Sequence, residues 1–441
     1  MPEINEIVDV TVAVQTSALS RQGFNSLMII GSDSDFAAGF TEYEVRSYVS
    51  YAGVVADTHI LAGDLKDKLL VAFAQIPAVP RVYVSRVDAG SATAQVGDLV
   101  FSAALVTGNN ISLTVDGTAL TFIPFNTDNA TTLTDIATAI QASGSVVTAV
   151  SDGTDTITIT NAEAGNIISV TAIVTAGASQ ATALYTATTP AVGDVTSSDL
   201  DAIAANDNAW FGHSMVYEDD SSQLAAIAWC AANKKSGFYL RTEIRDLGAA
   251  SNLSSLWITD STYTGTARHL EVAVASRILS LTPGSYTAAY KSLELASTTQ
   301  WTTTEETLLR DYNLNQYSVT AGVNITFNGV GTNGGYIDLY IGAVYLEARM
   351  QEDVFALMTS QNKIPLNNNG INQVANTINA RLQQSIIDEY LLNDPQPVVN
   401  VPLASALSAI DKSNRLLTGI SFVAYASNAI QTIQINGTVV A

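Results

Sequence analysis

The sequence predicts a multidomain protein of the α+β and α/β classes, in which a layered α/β core is interrupted by a small β-rich domain. Strand-like and helix-like segments alternate before residue 88 and again after residue 194, a pattern typical of helices packed on a layered sheet. Between these segments the composition shifts, because Ala89–Gly193 contains no lysine, arginine or histidine. At both ends of the chain, apolar residues recur at every second position, which is the period of a β-strand.

Residues 1–22 are predicted to form an extended N-terminal arm. Its regularly spaced apolar residues are Val8, Val10, Val12 and Val14. Residues 23–88 then begin a discontinuous α/β core domain, which continues at 194–282. The elements predicted in its first part are a strand over 24–31, helices over 42–55 and 57–75 with Asp57 as the N-cap of the second, and a strand over 80–87.

Residues 89–193 are predicted to be an inserted β-rich domain with one helix. Asp116-Gly117 and Asp152-Gly153 are dipeptides typical of hairpin turns. The predicted strands cover 111–117, 118–125, 145–153, 155–165 and 167–176, and the predicted helix covers 131–143.

The α/β pattern returns at residue 194, and Pro283-Gly284 predicts a boundary before a C-terminal α+β domain over 283–427. In the second part of the core we expect helices from 198, over 220–229 and over 267–279, with strands over 209–217 and 236–244. In the C-terminal domain we expect helices over 304–312, 343–359 and 371–392, and strands over 316–330, 335–342 and 417–427. Residues 428–441 are predicted to be a second strand arm, with Ile430, Ile433, Ile435 and Val439 as its apolar residues.

The composition is typical of a protein that buries its surface in an assembly. Charged residues make up 14% of the 441 residues and hydrophobic residues 47%, whereas about 25% charged residues is usual. The net charge of −22 repels nucleic acid and anionic membranes, so neither is an expected partner. Apolar stretches fall short of the roughly 20 residues of a membrane span, and the acidic N-terminus lacks the basic region of a signal peptide.

No catalytic constellation emerges from the sequence. The three histidines, His59, His213 and His269, each stand alone without the spacing of a metal site. Cys230 lies in an apolar helical run and is predicted to be a buried structural thiol. Gly329–Gly335 fits the GxGxxG pattern, but that motif needs a helix directly after it, and a strand-like segment follows. Acidic groups at 32–36, 151–156, 217–222 and 305–306 are predicted to be turns and helix N-termini. We therefore expect no enzyme activity, cofactor or metal.

Two stretches of the C-terminal third form a recognisable pattern. The first is a run of leucine, asparagine and tyrosine before a predicted hairpin, at Leu308, Leu309, Asn313, Asn315 and Tyr317. The second is a predicted strand with a central aspartate, a helix, a K-I-P turn and a second helix, with the matching residues Gly335, Asp338, Leu346, Lys363, Ile364, Pro365, Gly370 and Ile371. Both stretches resemble the contractile tail sheath proteins of myovirus-type bacteriophages. The arm that leads into the first core strand, residues 8–31, is similar as well. The resemblance covers 1–88 and 196–441, and the segment 282–292 departs from it because it lacks the usual aromatic and basic residues.

This resemblance implies a structural subunit of a contractile sheath, in hexameric rings stacked around a tail tube, in the virion after assembly in the cytoplasm of the bacterial host. The implied partners are the chain itself, the tail tube protein, the baseplate and the terminator or neck proteins. The core and C-terminal domain would form the sheath wall, and the inserted domain would protrude outward. The implied contact with the tube lies in the C-terminal domain, where the candidate basic residues are Arg349, Lys363, Arg381, Lys412 and Arg415.

The two arms suggest how the subunits are linked. An extended segment can pair with the unpaired backbone groups of an edge strand on another chain, and twenty extended residues reach about 65–70 Å. The alternative is that both ends pair within their own chain. At the level of function, the alternatives are another structural protein of a phage tail or contractile injection machine, such as a tube protein or a surface adhesin, and more distantly a Rossmann-like enzyme.

Overall fold

The computed structural model describes residues 23–177 and 181–434. The predicted arm residues Val8, Val10, Val12, Val14, Ile435 and Val439 lie outside the described residues. The described chain forms two compact units, a larger one of 23–344 with 388–390 and 426–434, and a smaller one of 345–387 with 391–425.

The first part of the chain alternates strands and helices as predicted, with shorter helices. Its elements are β1 (Ser26–Gly31), β2 (Val45–Tyr48), α1 (Tyr51–Ala56), α2 (Asp64–Ala74) and β3 (Arg81–Arg86). The predicted helix over 42–55 was wrong for its first half, because Val45–Tyr48 pairs antiparallel with β3 at the sheet edge. The prediction for Asp57 was also wrong. Asp57 is the C-cap of α1, and the next helix begins only at Asp64. The Asp57 carboxylate instead accepts hydrogen bonds from Arg46 and Tyr48 at 2.9 and 2.7 Å.

The segment predicted as the inserted domain contains two four-stranded sheets and one helix. Its elements are β4 (Val96–Phe101), β5 (Asn110–Val115), β6 (Thr118–Ala119), β7 (Ile123–Pro124), α3 (Asn129–Gln141), β8 (Val146–Ser151), β9 (Thr156–Asn161), β10 (Val170–Thr175) and β11 (Ala183–Thr189). One sheet has the order β11-β4-β9-β8, and in the other β10 and the short strands β6 and β7 all pair with β5. The two sheets and the helix share one buried apolar core, which contains Leu99, Leu113 and Ile136.

The rest of the larger unit continues the alternation of strands and helices. Its elements are α4 (Ser197–Asn206), β12 (Gly212–Met215), α5 (Asp220–Ala232), β13 (Ser236–Arg241), β14 (Ser254–Ile258), α6 (Leu270–Leu279), α7 (Thr303–Asp311), β15 (Leu314–Thr320), β16 (Val323–Phe327) and the start of α8 (Ile337–Ser360). Asp219 caps α5 by accepting a hydrogen bond from the backbone N–H of Ser222.

One eight-stranded sheet organises the larger unit, in the order β16-β15-β14-β13-β12-β1-β3-β2. The six inner strands are parallel and the edge strands β16 and β2 are antiparallel to them. Met28 and Ile30 of β1 face the cluster that contains Leu200 and Ile227 of α4 and α5. The opposite face is covered by α6, where Gly212 leaves room for Leu279. This doubly wound arrangement confirms the predicted α/β core.

The sheet does not end at the predicted boundary near residue 283. Strands β15 and β16 lie beyond that boundary and still extend the sheet, with β15 parallel to β14 and β16 closing a hairpin. The predicted strand over 335–342 was wrong, because the residues from Ile337 onward form the first turns of α8. Its buried apolar residues, Ile337 and Ile341, are four positions apart, which is a helical spacing.

The smaller unit consists of the rest of α8 together with α9 (Asn368–Ile387), β17 (Val398–Asn400), α10 (Ala409–Ser413) and β18 (Ser421–Val423). The predicted strand over 417–427 shrinks to β18, which pairs antiparallel with the unpredicted strand β17. On α9 the buried apolar residues include Ile371, Ile378 and Leu382, which recur at helical spacing. In the part of the chain that the structure describes, no helix is long and apolar enough to cross a membrane.

Candidate assembly surfaces

The polar groups singled out as possible chemistry have structural roles where the structure describes them. Asp152 accepts hydrogen bonds from the backbone N–H groups of Thr154 and Thr156 in a turn, and Glu305 forms a capping box with Thr302 at the start of α7. His213 and His269 are fully buried. Within residues 23–177 and 181–434, no group of three or more histidine, cysteine or acidic side chains could hold a metal ion.

The glycine-rich loop 329–335 lies in a different local context from the predicted one. A strand precedes this loop and a helix follows it, so the helix that the GxGxxG pattern requires is present. The loop is nevertheless closed on itself, because Gly331 N–H donates to Gly335 O at 2.7 Å and Ile337 N–H donates to Gly329 O at 3.1 Å. Thr332 N–H donates to Ser254 O at 2.8 Å. These backbone donors are therefore used within the protein and do not point at a phosphate.

The C-terminal segment contacts the rest of the larger unit at defined residues. Ser427 N–H donates to Tyr390 O at 2.8 Å. Four residues later, Gln431 Nε2 donates to Thr287 Oγ1 at 3.2 Å, and the Tyr290 hydroxyl donates to Gln431 O. Ile430 and Ile433 are 77% and 75% exposed. Neither lies in a strand of the described chain, so the described part of this arm does not pair with its own sheets.

The two-stranded sheet of the smaller unit has open edges in the described chain. β17 and β18 pair only with each other there, and Val398, Phe422 and Val423 are 57%, 40% and 52% exposed. Two-stranded ribbons are marginally stable in water, and three or more strands are usually needed. This ribbon is therefore suited to accept further strands.

The five candidate tube-facing residues divide into two kinds. Arg349 donates to Glu352 at 2.7 Å and stacks over the Tyr345 ring at 4.8 Å. Arg381 donates through Nε to Asp353 Oδ2 at 2.6 Å, and its side chain is only 10% exposed. Lys363, Lys412 and Arg415 are exposed. Only the last three therefore present their charge on the surface of the smaller unit.

A buried ionic cluster joins the inserted segment to the α/β core. Asp220, the first residue of α5, is fully buried and pairs with Arg241 at 2.8 Å and with Arg245. Its carboxylate also accepts a hydrogen bond from the backbone N–H of Ile167 at 2.9 Å, and Arg245 donates to Ile167 O at 2.9 Å. Ile167 lies between β9 and β10 of the insertion, so a single carboxylate fastens both parts.

Sequence reasoning missed two of these features, the Asp220 cluster and the Tyr290–Gln431 contact. Asp220 was assigned only to a helix N-terminus, and its partners are 21 and 25 positions away. Tyr290 and Gln431 are 141 positions apart. No periodicity or motif in a single sequence signals such contacts, because they depend on how the elements fold together.

Comparison with known proteins identifies the architecture. Residues 337–392 match the family model described as E217 tail sheath protein gp31-like, C-terminal domain. The fold is similar to the sheath complex of the extracellular contractile injection system PVC in its contracted state, with a TM-score of 0.53, 9% identity and 98% of each chain covered. It is also similar to the contracted helical sheath of the anti-feeding prophage AFP, with a TM-score of 0.50, 10% identity and 99% of each chain covered. No curated protein matches the sequence significantly.

The family match falls on α8 and α9, the two helices that carry the K-I-P turn between them, and the fold matches extend over the core and the inserted segment. The predicted resemblance is therefore confirmed: residues 337–392 match the model of a tail sheath C-terminal domain, and the fold of the chain is similar to that of contractile sheath subunits over nearly its whole length.

Proposed function

We propose that this protein is the structural subunit of a contractile tail sheath, in a phage tail or a related injection machine. In this proposal it assembles as stacked hexameric rings around a tail tube, and contraction of the sheath drives the tube into the target cell. The observation that carries the proposal is the combination of a sheath-type C-terminal domain at 337–392 with a sheath-type fold over nearly the whole chain. The same fold favours a sheath subunit over a tube protein or an adhesin.

Subunits are linked in this proposal by strands donated from the terminal arms. The open ribbon β17–β18 offers the acceptor edges, and the exposed Ile430 and Ile433 support a donor segment that pairs outside its own chain. Each added backbone hydrogen bond contributes about 0.5–1.5 kcal/mol net, so a strand of several residues makes a firm link. A link through an extended segment also lets subunits rotate and slide while they stay connected.

The proposal also keeps the inserted segment on the outside of the sheath and the smaller unit next to the tube. The insertion carries acidic residues and no basic ones over 89–193, which favours contact with solvent. The exposed Lys363, Lys412 and Arg415 are the candidate tube contacts, whereas Arg349 and Arg381 already pair within their own unit. The baseplate and the terminator or neck proteins would bind the two ends of the sheath.

Deletion of residues 428–441 tests the link. We expect the truncated protein to keep the thermal midpoint of the full chain within a few degrees and to remain unpolymerised in sedimentation, while the full chain pellets as tubes. Truncated protein that forms tubes of normal length would contradict the proposed role of the C-terminal arm.

A further inference from the structure

The contacts of Gln431 with Tyr290 and Thr287 suggest how the C-terminal arm is positioned for a second copy. We propose that Tyr290 and Thr287 clamp the chain at Gln431, so that the strand donated to a second copy begins at Thr432 and not at residue 428. This inference rests on the proposed function, and it adds the residues that position the donor strand.

The clamp consists of two side-chain contacts on one residue. The Tyr290 hydroxyl donates to the backbone carbonyl of Gln431, and the Gln431 side-chain amide donates to Thr287 Oγ1 at 3.2 Å. The Thr287 hydroxyl can accept from Gln431 while its own hydrogen serves the carboxylate of Asp338. Both contacts tie Gln431 to the segment that follows α6, and the earlier contact of Ser427 with Tyr390 leads the chain to this point.

The segment that holds Gln431 is itself firmly attached to the large sheet. Tyr290 N–H donates to Thr326 O at 2.8 Å, and Thr326 N–H donates to Lys291 O at 3.0 Å. The Tyr290 ring also packs edge-on against Phe327, with 6.1 Å between ring centroids. Tyr290 is therefore anchored to β16, an edge strand of the eight-stranded sheet.

Tyr290 adopts a backbone conformation that its residue type disfavours. Its φ is +59°, in the left-handed region that bulky residues rarely occupy. Such strain persists only where the surroundings impose it, and it is common at functional positions. In this conformation the Tyr290 hydroxyl reaches the backbone carbonyl of Gln431.

The residues around Gln431 face away from the clamp. Ile430 and Ile433 are among the most exposed apolar side chains of the described chain, at 77% and 75%. Residues 432–441 reach at most about 33–36 Å when extended. In this proposal a clamp at Gln431 fixes the starting point of the donated segment, which lowers the conformational entropy lost when that segment adds to a second copy.

A spin label on Gln434→Cys measures the clamp directly in the unassembled protein. The label is selective because the native Cys230 is buried. We expect Y290F and T287V, alone and together, to increase the mobility of the label. Y290F should leave the thermal midpoint nearly unchanged, whereas T287V should also lower it, because the buried Asp338 loses the hydrogen bond from the Thr287 hydroxyl. T287S, which keeps the hydroxyl, and Y336F, which removes an exposed phenol elsewhere, are the matched controls and should leave the mobility unchanged. An unchanged label mobility in Y290F/T287V would overturn the clamp.

Assembly of the same variants connects the clamp to the arm. Loss of one neutral hydrogen bond corresponds to about a fivefold change in an equilibrium constant, so we expect Y290F/T287V to raise the critical concentration for tube formation by about five- to thirtyfold. A truncation that removes 432–441 separates the two proposals. If that truncation still forms tubes, the arm is not the link between subunits. If the truncation fails to assemble but Y290F/T287V has the critical concentration of the wild type, the arm is the link and only the clamp is refuted.

Discussion

The two buried histidines, His213 and His269, have pKa values far below the usual value for histidine. His213 lies in the sheet with its Nδ1 3.0 Å from the Tyr239 hydroxyl, and burial lowers its pKa to about 3, assisted by the nearby charge of Lys235. Burial likewise lowers the pKa of His269 to about 2, with Lys68 and Arg268 adding to the effect. Both histidines are therefore neutral in the folded protein throughout the physiological range.

This burial predicts a loss of stability in acid. Below an unfolded pKa of about 6.5 the unfolded chain binds protons at these histidines that the folded protein does not bind, so stability falls as the pH falls. Each histidine should remove about 2–3 kcal/mol between pH 6.5 and pH 4.5. We expect His213→Gln to lose less stability than the wild type over this interval when denaturant unfolding is measured at both pH values. Equal losses in the two proteins would contradict this account of His213.

Arg381 illustrates a charged residue whose pairing the sequence could not predict. It was proposed as a tube contact, but it pairs with Asp353 of α8 from its position on α9. We expect Arg381→Met to lower the free energy of unfolding by about 1–3 kcal/mol, because Asp353 would lose its charged partner. Lys412→Met is the control, since Lys412 is exposed and its removal should change stability little. Urea unfolding measures the stability of both variants. If Arg381→Met is as stable as Lys412→Met, the pairing of Arg381 with Asp353 does not stabilise the fold.

At the scale of elements, the sequence predicted most of the core correctly and failed where periodicity is ambiguous. The buried strand over 24–31 and the helix from Asp220 are close to their observed bounds. Residues 335–342 were assigned to a strand because short apolar runs fit either structure. Strands β4 and β11 were not predicted, because neither shows a clear alternation of apolar and polar residues. Gly97 and Asp98 interrupt the pattern in β4, and threonines and alanines make up most of β11. These segments form strands because they pair with strands distant in the sequence, although their own β-propensity is weak.

The Asp220 cluster predicts how the inserted segment responds to a single substitution. Asp220→Asn keeps the shape of the side chain but removes the carboxylate that pairs with the buried Arg241, and it leaves Arg245 only the exposed Glu243 as an acidic partner. Breaking a buried ion pair in this way typically costs about 3–5 kcal/mol. We expect the insertion to loosen, so that limited proteolysis cuts near residues 90 and 193 faster than in the wild type. The control is Asp246→Asn, because Asp246 is exposed. Identical cleavage of D220N and D246N would show that the cluster does not fasten the insertion.

At the scale of the whole molecule, the chain combines a doubly wound core, an insertion without basic residues, and a sheath-type C-terminal domain. Composition and motif analysis predicted only that the protein assembles and lacks recognisable chemistry. The resemblance of particular residues, such as Asp338 and Pro365, pointed to tail sheath proteins, and the family model matches the segment that contains them. The domain boundaries at 22, 88, 194, 282 and 427 are proposals from the sequence. The large sheet continues through β15 and β16, so part of 283–344 belongs with the core. The boundary at 282 was predicted from the Pro283-Gly284 turn, which does not mark the end of the sheet.

The proposed tube contact makes a prediction about charge. Reversal of Lys363, Lys412 and Arg415 to glutamate should weaken cosedimentation of the sheath with its tail tube, and the difference should shrink at high salt because exposed charges are screened. Reversal of Lys66, a partly exposed lysine of α2 in the larger unit, is the matched control and should leave binding unchanged. Tube binding that is unaffected by the triple reversal would remove these residues as tube contacts.

If copies of this chain build a contractile sheath, the purified protein should polymerise into tubes without other components. Negative-stain electron microscopy of the concentrated, purified full chain shows whether it does. We expect hollow, striated tubes of uniform diameter, assembled from stacked rings of the protein alone. Dispersed particles at every concentration, or solid fibres without a lumen, would show that this chain does not build a sheath.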